Sequence, residues 1–176
     1  IGIDMAKNFL EQLEPNAVLF CNGDNDTYPL WYAQNVEGIR TDVRIINQSL
    51  LPTDWYSSVL LDKVYDSEPL PLTLTKEDLQ TGSFEGGIEI QDIEGKSSLL
   101  DFVLKQVKDE NKKGVERNYF KSKSIWFPVD RKSVIASGFV PAKDTAEVVD
   151  RIEITLSGSY ISKGDLLVLD LINQNA

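Results

Sequence analysis

Two aspartates flank an asparagine at Asp24-Asn25-Asp26, directly after the apolar run at residues 17–21. Hard divalent cations prefer carboxylate oxygens, so Asp24 and Asp26 are candidate ligands for a cation that would hold a sugar phosphate. A simpler interpretation is that Asp26 or Asn25 caps a helix beginning at Thr27, while Asp24 orders the turn. The sequence leaves both interpretations open.

A second polar group follows the next apolar stretch, where Asn47 and Gln48 are followed by Ser49. Open α/β sheets bind ligands beyond the carboxyl ends of their parallel strands. If the two apolar stretches are neighbouring strands, both polar turns lie at one edge of the sheet. The candidate ligand-binding residues there are Asn22, Asp24, Asp26, Asn47 and Gln48, whose amides and carboxylates suit a sugar or a peptide backbone.

Aromatic side chains lie close to the acidic turn. Tyr28 and Trp31, with Tyr32, are candidates for a stacking platform under a sugar ring. The alternative is that Trp31 packs in the core, as large aromatic side chains commonly do. Trp55 and Tyr56 carry the same two interpretations.

Composition excludes several classes of chemistry. The chain has 176 residues, no histidine and a single cysteine, which rules out Ser-His-Asp catalysis, histidine-ligated zinc and internal disulfides. A net charge of −10 disfavours nucleic acid as a partner. We assign no catalytic residue, and the one cofactor that the sequence allows for is a divalent cation at Asp24 and Asp26.

The elements that position these residues follow a βαβα pattern. We predict a strand over 17–21, a helix over 27–36 that ends at Gly38, a strand near 43–46 and a helix carrying Trp55 and Val64. Such a pattern indicates neighbouring parallel strands with a right-handed crossover. The predicted fold class is therefore α/β, a Rossmann-like three-layer unit with a mostly parallel sheet and a loop-rich insertion. The dinucleotide motif GxGxxG is missing.

The sequence as a whole predicts one domain in three parts. Residues 1–66 form the βαβα unit, residues 67–123 an insertion with a hairpin and a helix capped by Ser97 or Ser98, and residues 124–176 the completing strands and a buried C-terminal helix. Pro128 indicates an edge strand or a strand end. Ser162 or Asp165 lies near the N-cap of the last helix. We expect Arg40 and Arg44 to form exposed ion pairs with Asp42, and Lys163 to be solvated.

The stretch NGDNDTYPLWYAQNVEGIRTDVRIINQSLLPTDWY resembles the extracytoplasmic part of a bacterial family of multi-spanning membrane proteins of unknown function. That family is related to transmembrane protein O-mannosyltransferases, which are C-type glycosyltransferases. YDSEPLPLTL, FPVD and GDLLVLDLI match in the same order. Members of the family continue beyond the position of Ala176 into another strand, so we expect the sheet to be one strand short.

The resemblance implies a function as well as a location. In C-type glycosyltransferases the catalytic carboxylate lies in the membrane half, so we expect this chain to be non-catalytic and to bind or position an acceptor or glycan. The implied partner is the membrane-embedded half of its own parent chain, at the extracytoplasmic (periplasmic) face of the inner membrane. The chain itself we expect to be soluble. The alternatives are a metal-dependent sugar-phosphate or nucleotide-sugar enzyme, whose Asp-x-Asp pattern Asp24 and Asp26 would supply, and a purely structural scaffold.

Overall fold

The computed structural model describes residues 2–80, 84, 87–93, 95–112 and 119–175. The chain divides into two compact units, Ile1–Gly82 and Ser83–Ala176. The single domain in three parts that the sequence indicates stays a prediction.

The first unit contains one parallel strand pair. Its elements are α1 (Gly2–Leu10), β1 (Val18–Cys21), α2 (Asp24–Asn35), β2 (Arg44–Asn47), α3 (Asp54–Val59) and α4 (Lys76–Gln80). β1 and β2 run parallel, with Val18 opposite Arg44 and Cys21 opposite Asn47. The predicted βαβ arrangement of neighbouring parallel strands is confirmed.

The core of this unit lies between α1, α2 and the strand pair. Apolar side chains at helical spacing on α1 and α2 meet those of β2. The buried members are Ala6, Leu10, Cys21, Leu30, Ala33, Val43 and Ile45. Burial of one face of each helix explains why such short elements are stable together.

Arg44 explains why α3 ends earlier than predicted. Its guanidinium is buried and donates hydrogen bonds to the Ser67 hydroxyl and to the carbonyl oxygens of Val59, Asp62, Ser67 and Glu68. Because the chain from Val59 onward turns its carbonyl groups toward this charge, it cannot continue as a helix to Val64. The expected exposed pairing of Arg44 with Asp42 is wrong.

The second unit contains short strands between helices. Its elements are β3 (Ile88–Ile90), β4 (Ser98–Leu99), α5 (Leu100–Lys112), β5 (Tyr119–Phe120), β6 (Ser124–Pro128), α6 (Arg131–Ala136), a 3₁₀ helix (Ala142–Glu147), β7 (Arg151–Thr155), β8 (Tyr160–Ile161) and α7 (Lys163–Gln174). Two sheets have the orders β5-β3-β8 and β4-β6-β7.

The second unit differs from several local predictions and confirms one. The sequence predicts a hairpin within residues 67–123. Among the residues of this span that the structure describes, no two consecutive strands pair, because β3 pairs with β5 and β8, which are distant in sequence. Ser98 lies in β4 instead of capping α5. Pro128 ends β6, which is a central strand, so the strand-end alternative is confirmed and the edge alternative is wrong.

At the start of α7 the predicted N-cap is confirmed, whereas the predicted exposure of Lys163 is wrong. Ser162 is the N-cap and forms a capping box with Asp165, as predicted. Lys163, expected to be solvated, is buried at the first position of the helix.

The fold of the described residues is mixed α/β with three small sheets of two or three strands. Three of the five strand pairs are parallel and two are antiparallel. A Rossmann-like three-layer arrangement with one mostly parallel sheet is not confirmed, because the strands of the second unit belong to separate sheets. None of the helices in the described part of the chain has the length and apolarity of a membrane span.

Candidate functional site

The carboxyl ends of β1 and β2 lie side by side. The Gln48 N–H donates to the Cys21 carbonyl at 2.9 Å, and the Ser49 hydroxyl donates to Asn22 Oδ1 at 2.6 Å. The structure therefore brings the two polar turns to one edge, as the sequence predicted. We call this edge the strand-end site and define it by its exposed side chains: Asn22, Asp24, Asp26, Gln48 and Ser49.

The helix α2 begins three residues earlier than predicted, within the acidic turn. The helix begins at Asp24, and its N-cap is Gly23, which has a φ of 83° and no side-chain cap. The interpretation that Asp26 or Asn25 caps a helix from Thr27 is wrong, because the left-handed conformation of Gly23 lets the strand turn directly into the helix. The two carboxylates instead occupy the first helical turn, where the positive end of the helix dipole stabilises them.

The two acids are poorly placed to share a cation. Side chains two residues apart on a helix project from different sides, so Asp24 and Asp26 do not face each other. Among the residues that the structure describes, no group of three or more acidic, cysteine or histidine side chains could hold a metal ion. The negative charge of Asp24, together with a hydrogen bond to it, raises the pKa of the Tyr28 hydroxyl. The cation site stays a prediction.

Asn47 is a structural member of this edge. It is buried, its amide donates to Thr27 Oγ1 at 2.9 Å, and its side-chain oxygen accepts from the Ser49 N–H at 2.9 Å. With both ends of the amide occupied, Asn47 holds the second turn in place and offers little to a ligand.

Thr27 is the residue that sequence reasoning missed. Its buried hydroxyl donates to the Gly23 carbonyl at 2.7 Å, accepts from Asn47, and lies 3.1 Å from the Cys21 thiol. Burial raises the pKa of that thiol. The one available signal was the spacing, since a threonine hydroxyl on a helix can reach the carbonyl four residues earlier.

The aromatic side chains form a continuous row. The ring centroids of Tyr28 and Trp31 lie 6.0 Å apart, those of Trp31 and Tyr56 6.5 Å, and those of Tyr56 and Trp55 5.4 Å. Trp31 is half-buried against the core, whereas Tyr28 and Trp55 are exposed. Tyr32 is not in the row and donates to Glu37 Oε1. The row links the acidic turn to the outer edge of β2.

The chain was also compared with known proteins. It matches the family model described as TMEM260-associated domain 2 over residues 2–176. No curated protein and no solved structure matches it significantly. Because the family match spans nearly the whole chain, the chain belongs to the TMEM260-associated domain 2 family.

Proposed function

We propose that this chain is a non-catalytic binding domain of a glycosyltransferase-related membrane protein, and that it binds or positions a glycan or a protein acceptor at the strand-end site. The observation that carries the proposal is the joining of the two polar turns by the Ser49–Asn22 hydrogen bond. This places five exposed polar side chains beyond the carboxyl ends of two parallel strands, the usual ligand position in α/β sheets.

The chemistry of these side chains suits a hydroxyl-rich or amide-rich ligand. Asp24 and Asp26 accept hydrogen bonds, Gln48 both donates and accepts, and the Ser49 hydroxyl does the same. The hydrogen bonds of Asn47 and Thr27 fix the two turns, so the binding of a ligand costs little conformational entropy. The exposed ring of Tyr28 adds an apolar surface beside Asp24.

The cellular setting is part of the same proposal. The family name supports a membrane-protein parent. We infer that the domain lies at the extracytoplasmic (periplasmic) face of the inner membrane and works with the membrane-embedded half of its own parent chain, which would supply the catalytic groups.

Binding can be tested by nuclear magnetic resonance on the isotopically labelled chain. Glycans and acceptor peptides are titrated in while the backbone amides of Asn22, Asp24 and Gln48 are followed. We expect shifts at these amides, and we expect the double variant Asp24→Asn, Gln48→Ala to weaken binding by at least about tenfold. Glu11→Gln, which removes an exposed acid elsewhere in the first unit, is the matched control.

Two results would oppose this proposal. Absence of shifts with every glycan and peptide would leave a scaffold role. A rise in unfolding temperature with Mn²⁺ or Mg²⁺ that Asp24→Asn abolishes would instead favour a metal-dependent sugar-phosphate or nucleotide-sugar enzyme.

A further inference from the structure

The first unit contains a pocket of about 200 Å³ along the outer edge of β2. No member of the strand-end site lines it. The lining residues that bear on its chemistry are Trp31, Gln34, Asn35, Arg44, Tyr56 and Tyr65. We call it the ring pocket.

The inner wall of the ring pocket is aromatic. Trp31 and Tyr56 lie in contact with their rings inclined at 45°. The Tyr56 hydroxyl accepts from the Asn47 N–H at 2.8 Å and donates to the Ile45 carbonyl at 3.4 Å. The Tyr56 hydroxyl is therefore engaged by backbone groups of β2. The part of Tyr56 that is left to the pocket is its ring.

Two of the polar side chains in the lining, Gln34 and Asn35, are amides. Both amide hydrogens of Gln34 go to backbone carbonyls, those of Arg40 and Val43, at 2.8 Å each, so its oxygen is the atom that remains as an acceptor. Asn35 is exposed at the same wall. No acidic side chain among the described residues lines the pocket.

Arg44 places a positive charge in the lining without forming an anion clamp. Its guanidinium bonds to the Ser67 hydroxyl and to four backbone carbonyls between Val59 and Glu68. These bonds fix the chain segment that forms the outer wall. The charge repels a cationic ligand, and its engaged donors give an anionic ligand no bidentate partner.

The outer wall carries a backbone outlier. Tyr65 has a φ of 53°, in the left-handed region that glycine favours, between Val64 and Ser67, whose backbones bond to each other in both directions. A bulky residue in this conformation is strained, and such strain is characteristic of functional sites. The result is an exposed aromatic ring at the pocket.

We propose that the ring pocket binds one pyranose ring of a neutral sugar, with its faces against Trp31 and Tyr65 and its hydroxyls toward Gln34 and Asn35. The pocket is smaller than the roughly 300–1,000 Å³ of drug-sized sites, so it admits a single ring. This inference rests on the proposed binding function and names a ligand class and a second contact site for it. A ligand of about a dozen non-hydrogen atoms binds with affinity on the order of millimolar.

Saturation-transfer NMR on the 176-residue chain tests this, with the methyl pyranosides of glucose, mannose and galactose as probes. We expect transfer to at least one pyranoside. Tyr65→Gly should weaken binding about tenfold while leaving the unfolding temperature unchanged or higher, because glycine relieves the left-handed strain. Tyr65→Phe, which keeps the ring, should retain affinity within about threefold, as should the control Tyr32→Ala, an exposed tyrosine outside the pocket.

Three other outcomes would reject the ring pocket as a sugar site, and the last of them would also reject the proposed function. Transfer to p-cresol or indole but to no pyranoside would show that the pocket takes an aromatic side chain, and the proposal would fail. Pyranoside binding that Tyr65→Gly leaves intact and Gln48→Ala removes would place the sugar at the strand-end site alone, so the proposed function would stand without the ring pocket. Absence of binding by any probe, glycan or peptide would reject both.

Discussion

Thr27 joins three segments of the first unit through one hydroxyl group. It contacts the end of β1 at Cys21, the N-cap of α2 at Gly23 and the end of β2 at Asn47. This buried hydroxyl is costly to remove, since the Asn47 amide then loses its acceptor without gaining water.

We predict that Thr27→Val lowers the free energy of unfolding by about 1–3 kcal/mol, because the buried Asn47 amide loses its acceptor. Thr27→Ser, which keeps the hydroxyl, should cost clearly less. Urea denaturation followed by tryptophan fluorescence measures both. A loss for Thr27→Val that is no larger than the loss for Thr27→Ser would contradict the prediction, because the hydroxyl would then contribute no more than the methyl group.

At the scale of elements, the carboxyl end of α1 is capped by an arginine that lies about 30 residues further along the chain. Arg40 has a φ of 49°, and its guanidinium donates to the carbonyls of Leu10, Leu13 and Glu14 while pairing with Asp42 at 2.8 Å. A cation at the carboxyl end of a helix satisfies its unpaired carbonyls and favours its dipole. This pair was predicted to be exposed, but it is partly buried, and Arg40 caps the carboxyl end of α1.

This pair gives the stability a pH dependence. Arg40 and the Asn16 N–H lower the pKa of Asp42 from its usual 3.8 to about 2. The unfolded chain therefore binds a proton at a higher pH than the folded chain does. The contribution of Asp42 is complete above about pH 5 and is lost as the pH falls toward 2.

We expect Asp42→Asn to cost on the order of 1 kcal/mol at pH 7, because solvent screens this partly exposed pair. The difference from the parent chain should shrink as the pH approaches 2. Denaturant unfolding between pH 7 and pH 2 measures it, with Glu11→Gln as an exposed control. A difference that is constant over this range would exclude the ion pair as its source.

At the scale of the whole molecule, burial is uneven within the second unit. α5 and α7 bury apolar faces, with Val103, Val107, Leu166 and Leu167 each at most 2% exposed. No residue from 128 to 160 is buried, although this stretch includes α6, the 3₁₀ helix and β7, and Phe139 is 73% exposed. Such a segment gains little stability from hydrophobic burial.

We predict that the backbone amides of α6 and Ala142–Glu147 exchange with deuterium much faster than those of α5 and α7. Local opening is easiest where few apolar contacts are lost. Hydrogen exchange with mass spectrometry resolves these segments by peptide. Equal protection of all four helices would contradict the prediction.

Much of the fold and of the candidate site could be predicted from local patterns. Apolar runs bounded by turn residues located β1 and β2, the short connection predicted their parallel pairing, and Ser162 with Asp165 located the start of α7. The resemblance in the sequence agrees with the family match as far as a TMEM260-associated domain, while its bacterial and extracytoplasmic parts stay predictions. The positions of β1, β2 and the start of α7 depend on residues close together in the sequence, where propensity and turn chemistry dominate. The parallel pairing follows from the general rule for a strand–helix–strand unit.

The sequence by itself therefore determined where β1 and β2 lie and that their polar turns share an edge. The tertiary structure decided the role of each side chain at that edge: Asn47 was predicted as a ligand residue and is buried against Thr27, and Arg44 was predicted at the surface and organises the segment from Val59 to Glu68. Those outcomes depend on hydrogen bonds between residues 15 to 24 positions apart. No local pattern specifies such contacts, because they form only when packing brings distant segments together.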